Sequence, residues 1–78
     1  MKKILIVEDD ILAAELERDY LEASDYEVEL CGDGDEGYKK AESGFYDLLL
    51  LDIMLPGMSG FEICRRAQTE CSYYHGHG

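Results

Sequence analysis

Acidic residues follow two apolar runs of the chain, at points where their carboxylates could share a cation. Three acids, Glu8, Asp9 and Asp10, come directly after a short apolar run, and Asp52 follows four consecutive leucines. Carboxylates that converge repel one another, and a hard divalent cation relieves the repulsion; oxygen ligands suit Mg²⁺ better than Zn²⁺. A carboxylate that binds the metal through one oxygen can attack a phosphoryl group with the other. These residue types therefore predict magnesium-dependent phosphoryl chemistry.

A structural interpretation of the same acids stays open. Acidic side chains are common at the start of a helix because they face the positive end of the helix dipole, and aspartate is a favoured N-cap. We favour capping for Asp10 and metal binding for Asp9. For Asp52, the alternative to a functional role is a turn or capping aspartate.

The elements that must position these acids alternate along the chain as β-α-β-α-β-α. Segments with the pattern of strands and helices follow one another in this order: 3–7, 11–23, 26–30, 35–43, a strand that begins at residue 46 or 47 and ends at 52, and a helix from 59 onward. The first and third strands are continuously apolar, which is typical of parallel strands buried on both faces. The second strand alternates apolar and polar residues, as an edge strand does. In the first helix, the spacing of Leu12, Ala13, Leu16 and Tyr20 predicts an apolar face.

The connections between the strands have the length of right-handed parallel crossovers. They predict an α/β fold, a truncated flavodoxin-like doubly wound parallel sheet with strand order 2-1-3. The first and third strands are then neighbours. Their carboxyl ends bring Glu8, Asp9 and Asp52 together.

Composition excludes several classes of partner. The 78 residues include 18 acidic and 7 basic side chains, a formal net charge of −11, which argues against direct contact with nucleic acid or an anionic membrane. The sequence has neither a run of membrane-spanning length nor a signal-peptide layout, so we expect a cytoplasmic protein. Cys31, Cys64 and Cys71 have neither a disulfide framework nor a metal-type spacing, which predicts free thiols.

Two motifs carry a resemblance to a known family. The segments 4–10 (ILIVEDD) and 50–60 (LLDIMLPGMSG) resemble the receiver domain of bacterial two-component response regulators, in particular those with a winged-helix DNA-binding output domain. The resemblance covers about residues 2–66. It implies a signalling module rather than an enzyme, phosphorylated by a histidine of a partner sensor histidine kinase.

The resemblance also implies a role for individual residues. Asp52 would be the phosphoacceptor and Asp9 a direct Mg²⁺ ligand. Glu8 would act on the metal largely through water, and the backbone carbonyl oxygen of Met54 would be a further ligand. A phosphohydrolase with a strand-end aspartate is a disfavoured alternative, because Met54 stands where its second acid would be.

The chain departs from the family after its third helix. A complete receiver has five strands, with a Ser or Thr at the end of the fourth and a Lys at the end of the fifth. Here the last lysine is Lys40, and the only threonine, Thr69, is too close to the third helix. We therefore expect residues 1–66 to be the N-terminal part of a receiver domain, impaired in switching. Residues 67–78 are expected to be a tail outside the family, without a strand, whose His-Gly-His segment is an unstructured terminus rather than a metal site.

The tail has a second interpretation at the level of the gene. Residues 71–78 can be reverse-translated so that reading one base later gives APIIMVT, which is how a receiver's fourth strand usually looks. We hypothesise a single-base frameshift near residues 66–70. Sequencing of the gene tests this, because the shifted frame must continue into a fifth strand with a lysine.

Loss of the remaining strands predicts an association site. The third strand is expected to be an unpaired edge of four leucines, which would form a homodimer by antiparallel pairing of third strands or by exchange of elements. The alternative function is therefore a self-associating structural fragment without signalling activity.

Overall fold

A computed structural model describes residues 1–74 as one parallel sheet with helices on both faces. In chain order the elements are β1 Lys3–Val7, α1 Ile11–Ala23, β2 Glu27–Cys31, α2 Gly34–Ser43, β3 Leu48–Asp52, α3 Gly60–Ala67 and β4 Cys71–Tyr74. The sheet order is β2-β1-β3-β4, with all three neighbouring pairs parallel. The predicted α/β class and the order 2-1-3 are confirmed, and a fourth strand extends the sheet. None of the described helices is long and apolar enough to cross a membrane.

The central strand β1 is buried on both faces, as its continuous apolar pattern predicts. Leu5 and Val7 belong to a cluster that includes Ile63 of α3, on the face that α2 and α3 cover. Ile4 and Ile6 pack on the other face, against α1. Packing on both faces fixes the position of β1 between the helices. It therefore also fixes the position of the acidic residues that follow β1.

The predicted apolar face of α1 points away from the sheet. Ala14 is the buried residue of this helix, whereas Leu12, Leu16 and Tyr20 are each more than 70% exposed. A groove of about 350 Å³ runs between this stripe and Leu50 of β3. The helical period was predicted from the sequence, but Ala14 and the partly buried Leu21 make the contact with the sheet, and the three larger side chains of the predicted face lie outside it.

The strand β4 lies where the sequence predicts a tail without a strand. Gln68 adopts a left-handed conformation with φ 57°, which ends α3 and precedes the return of the chain to the sheet. β4 then pairs with β3, from Leu49 opposite Cys71 to Asp52 opposite Tyr74. The prediction that β3 is an unpaired edge is therefore wrong for the described chain. The boundary at residue 66 stays a prediction, and the His-Gly-His segment at 75–77 lies outside the described residues.

The prediction of free thiols is wrong for two of the three cysteines. Cys64 in α3 and Cys71 at the start of β4 form a disulfide bond with their Cα atoms 6.1 Å apart. Cys31 is a free thiol and is buried. Spacing along the sequence gave no sign of this pair, because the return of the chain after α3 is what brings the two cysteines together.

Candidate metal centre

The acidic cluster lies at the carboxyl ends of β1 and β3, where the sequence predicts it. Val7 of β1 is opposite Leu51 of β3, so the residues that follow these positions emerge side by side. Glu8, Asp9 and Asp52 each offer a carboxylate oxygen, and these oxygens all lie within 4.8 Å of one another. Asp9 is exposed, whereas Glu8 is 1% exposed and Asp52 2% exposed.

Glu8 holds one satisfied and one unsatisfied oxygen. Its Oε2 accepts a hydrogen bond from the backbone N–H of Asp10 at 2.8 Å. Its buried Oε1 has no hydrogen-bond partner among the described residues. Burial, which outweighs the Asp10 N–H, and the neighbouring Asp52 together raise the pKa of Glu8 to about 7. The ionised form of Glu8 is therefore destabilised in the folded chain unless a bound cation supplies positive charge.

Asp10 caps α1, and the capping interpretation is confirmed. Its Oδ1 accepts hydrogen bonds from the N–H groups of Leu12 and Ala13, at 3.1 and 3.3 Å. Asp10 is not one of the three acids whose oxygens converge. Adjacent aspartates thus take different positions, one at the helix cap and one at the cluster.

The loop that follows β3 fixes the orientation of the Asp52 carboxylate. The backbone N–H of Met54 donates a hydrogen bond of 3.0 Å to Asp52 Oδ1. The side chain of Met54 is largely exposed. A ligand role for its carbonyl oxygen stays a prediction.

The start of α2 packs against the loop between β3 and α3, a contact that was not predicted from the sequence. The N–H of Gly34 donates to the carbonyl oxygen of Pro56 at 3.0 Å. A Cβ atom on Gly34 would lie 1.9 Å from the carbonyl oxygen of Met58, so only glycine fits this approach. The Asp33-Gly34-Asp35 sequence could have indicated that a capped helix starts here. It could not have indicated which loop that helix start contacts.

The donor set suits a hard divalent cation. The converging ligand atoms are carboxylate oxygens, and Glu8 Oε1 is a buried oxygen without a hydrogen-bond partner in the described part of the chain. Oxygen-only ligation is what Mg²⁺ prefers, and one or two carboxylates with additional waters are typical of its sites. The residues present therefore fit Mg²⁺.

Sheet order and acid placement together define a flavodoxin-like α/β protein with a candidate cation site at the carboxyl ends of its strands. The chain belongs to the response regulator receiver domain family, whose sequence profile matches residues 4–73. Receiver domains are signalling modules of two-component systems, in which sensor histidine kinases phosphorylate response regulators.

Three similar proteins illustrate the relationship. The response regulator ArlR of Staphylococcus saprophyticus is 50% identical over 66 residues, which cover 85% of this chain and 30% of ArlR. A CheY-like receiver domain protein from Methanospirillum hungatei matches 100% of this chain and 66% of its own, with TM-score 0.90 and 35% identity. The response regulator TrrA of Thermotoga maritima, solved in complex with Mg²⁺-BeF, matches 94% of this chain and 66% of its own, with TM-score 0.82 and 38% identity. The chain thus spans less than a third of the curated relative.

Proposed function

We propose that this chain is a phosphoacceptor receiver module of a two-component phosphorelay, in which Asp52 accepts a phosphoryl group from a histidine of a sensor histidine kinase. Asp9, Asp52 and the carbonyl oxygen of Met54 would hold Mg²⁺, and Glu8 would act on it largely through water. The observation that supports this is the convergence of three carboxylates within 4.8 Å at the end of the parallel sheet. Family membership supports a cytoplasmic location.

Each residue has a separate part in the proposed transfer. A carboxylate oxygen of Asp52 attacks phosphorus, so that an O–P bond forms while the P–N bond to the donor histidine breaks. The Met54 N–H orients the carboxylate by its hydrogen bond to Oδ1. Mg²⁺, when bound, would neutralise charge on the transferring phosphoryl group. Exposed Asp9 marks the side from which donor and cation reach the buried Asp52.

We also propose that the 78-residue chain is impaired in switching. None of its lysines follows Lys40, and Lys40 itself forms an ion pair with Glu29 at 2.8 Å. The charge that a receiver places on the phosphoryl group from its fifth strand is therefore not supplied by these residues. These 78 residues therefore do not themselves provide the lysine that would couple phosphorylation to a second conformation.

Assembly through β3, the other predicted function, would first require β4 to leave that edge. β4 pairs with β3 over its whole length in the described structure. We therefore do not propose it for the chain in which the disulfide bond is formed.

Magnesium binding is tested by calorimetric titration of the chain with MgCl₂ at neutral pH. Asp9→Ala should lower the affinity at least tenfold, because it removes a direct ligand. Asp10→Ala is the matched control, since it removes a neighbouring carboxylate that caps α1 and should leave the affinity unchanged. Equal losses in the two variants would show that general negative charge, not a site at Asp9, attracts the cation.

Phosphorylation is tested with a small phosphoryl donor, acetyl phosphate, in the presence of Mg²⁺. Intact-mass spectrometry should show the gain of one acid-stable, base-labile phosphoryl group in the wild-type chain and none in Asp52→Asn. A modified Asp52→Asn chain would refute the assignment of the phosphoacceptor. A wild-type chain that binds Mg²⁺ but stays unmodified would restrict the function to cation binding.

A further inference from the structure

The disulfide bond between Cys64 and Cys71 joins two elements that otherwise have few connections. Cys64 lies in α3 and Cys71 is the first residue of β4, and seven positions separate them along the chain. The bond therefore ties the outermost described strand on this side of the sheet to a helix whose Ile63 is part of the core. Neither cysteine belongs to the acidic cluster.

Few noncovalent contacts keep β4 on the sheet. Within residues 1–74, this four-residue strand pairs with β3 alone, and Ser72 and Tyr73 are exposed. Cys71 packs against the core cluster, and a ring contact joins Phe61 and Tyr73, whose centroids are 4.7 Å apart and whose rings are both more than a third exposed. Closing a short loop with a disulfide restricts the detached states of such a strand, which favours the docked state.

The edge that β4 covers is the most apolar one in the described sheet. β3 presents Leu48 to Leu51 without an intervening charge, proline or glycine. Charged residues, prolines and bulges are the features that keep an edge strand from pairing with another chain, and this run has none of them. Because the same edge of a second copy is self-complementary about a two-fold axis, a second copy of this chain is the occupant that the edge fits best.

We propose that Cys64 and Cys71 are a thiol–disulfide switch that controls self-association. In the oxidised chain, the bond holds β4 on β3 and the chain is a monomer. In the reduced chain, β4 detaches more readily and the freed edge of β3 pairs with the β3 edge of a second copy.

A small-molecule disulfide, such as oxidised glutathione, is the oxidant class for this site. One protein thiolate attacks a sulfur of the small disulfide, forms a mixed disulfide and expels one small thiolate. The second protein thiolate then attacks the protein sulfur of the mixed disulfide and expels the other. Two protein thiols thus lose two protons and two electrons, and one small disulfide becomes two small thiols.

The test uses the full 78-residue chain with Cys31→Ala, so that no third thiol can exchange. Sedimentation velocity is measured over a range of concentrations after oxidation with oxidised glutathione or reduction with tris(2-carboxyethyl)phosphine. The oxidised chain should stay at the monomer mass, whereas the reduced chain should approach about twice that mass or more as concentration rises. The double variant Cys64→Ser/Cys71→Ser should behave as the reduced chain under both conditions.

Amide exchange locates the change at β3. The Leu49 N–H donates to Glu70 O just before β4, at 2.9 Å. The measurement is made at concentrations where the reduced chain is monomeric. There the protection factor of the Leu49 amide should fall on the order of 50-fold on reduction, as expected from the closure entropy of a loop of this size. Unchanged protection would overturn the proposal even if the double variant failed to fold, since reduction breaks the disulfide bond without a substitution at Cys64 or Cys71.

A control variant separates edge pairing from contact through the exposed face of α1. Leu16→Glu places a charge in the stripe on that face and should leave the redox-dependent association unchanged. If Leu16→Glu abolishes the association, the contact is the α1 face and not β3, and the proposal fails. Equal masses of the oxidised and reduced chains, whether monomeric or associated, would also refute it.

Discussion

Glu8 carries an electrostatic cost that a cation would remove. Burial and the neighbouring Asp52 raise its pKa from an ordinary 4.5 to about 7. The folded chain therefore keeps this proton up to about pH 7, whereas the unfolded chain releases it near pH 4.5. Between these values the folded state binds more protons, so the contribution of Glu8 to stability falls as the pH rises through this window.

We expect this loss to be on the order of 3 kcal/mol without divalent cations. Urea unfolding of the metal-free chain at a series of pH values measures it. Glu8→Gln has no proton to lose, so the difference in unfolding free energy between wild type and variant isolates Glu8 from the other carboxylates. This difference should grow in favour of the variant between pH 4.5 and 7, and Mg²⁺ should reduce it; a difference independent of pH would contradict the shift.

At the scale of the element, the start of α1 depends on a single cap. The Asp10 carboxylate accepts hydrogen bonds from the first N–H groups of the helix and is not one of the three carboxylates that converge in the acidic cluster. Asp10→Ala should therefore lower the unfolding free energy by about 1 kcal/mol. Asp10→Asn, which keeps an acceptor oxygen, should lose less. Urea unfolding of both variants measures the effect, and equal losses would assign it to charge rather than to capping.

The start of α2 supports the loop that carries Met54. Gly34→Ala should displace this loop, because the added Cβ would overlap the carbonyl oxygen of Met58. We expect a loss of about 1–3 kcal/mol in stability and a weaker Mg²⁺ affinity. Gly32→Ala is the matched control, since its Cβ would lie 3.8 Å from the carbonyl oxygen of Glu8, an ordinary contact.

Calorimetric titration with MgCl₂ and urea unfolding compare these two glycine variants. If both variants bind Mg²⁺ like the wild-type chain, the position of the loop does not affect the cation site. If both lose affinity equally, the effect comes from glycine in general rather than from the approach of α2 to the loop.

Local pattern predicted the elements whose signals lie within their own sequence. The bounds of β1 and α1 agree with the predicted 3–7 and 11–23, because an uninterrupted apolar run and a capped helical period are local signals. The convergence of the acids was predicted because the carboxyl ends of neighbouring parallel strands lie at the same edge of a sheet. In contrast, CSYY at 71–74 has no strand alternation, and its pairing depends on an existing edge at β3. The disulfide bond was missed for the same reason, since it needs α3 and β4 to be adjacent first.

The whole molecule is packed unevenly on its two faces. Among the residues that the structure describes, seven buried residues form one cluster on the face of α2 and α3, and three form a cluster on the face of α1. The stripe of Leu12, Leu16 and Tyr20 faces away from this smaller cluster. Leucines of the same chain therefore contribute very differently to folding.

A matched pair of substitutions measures this asymmetry. Leu49 is 0% exposed in the larger cluster and Leu16 is 72% exposed beside the groove, and both can be replaced by alanine. Leu49→Ala should lower the unfolding free energy by about 2–5 kcal/mol, because it removes buried methyl groups and leaves a cavity. Leu16→Ala should change it by less than about 0.5 kcal/mol, since its side chain is already in water. Urea unfolding of the oxidised monomer compares them; a large loss at Leu16 would mean that another surface covers the α1 stripe in solution, and the loss should then diminish on dilution.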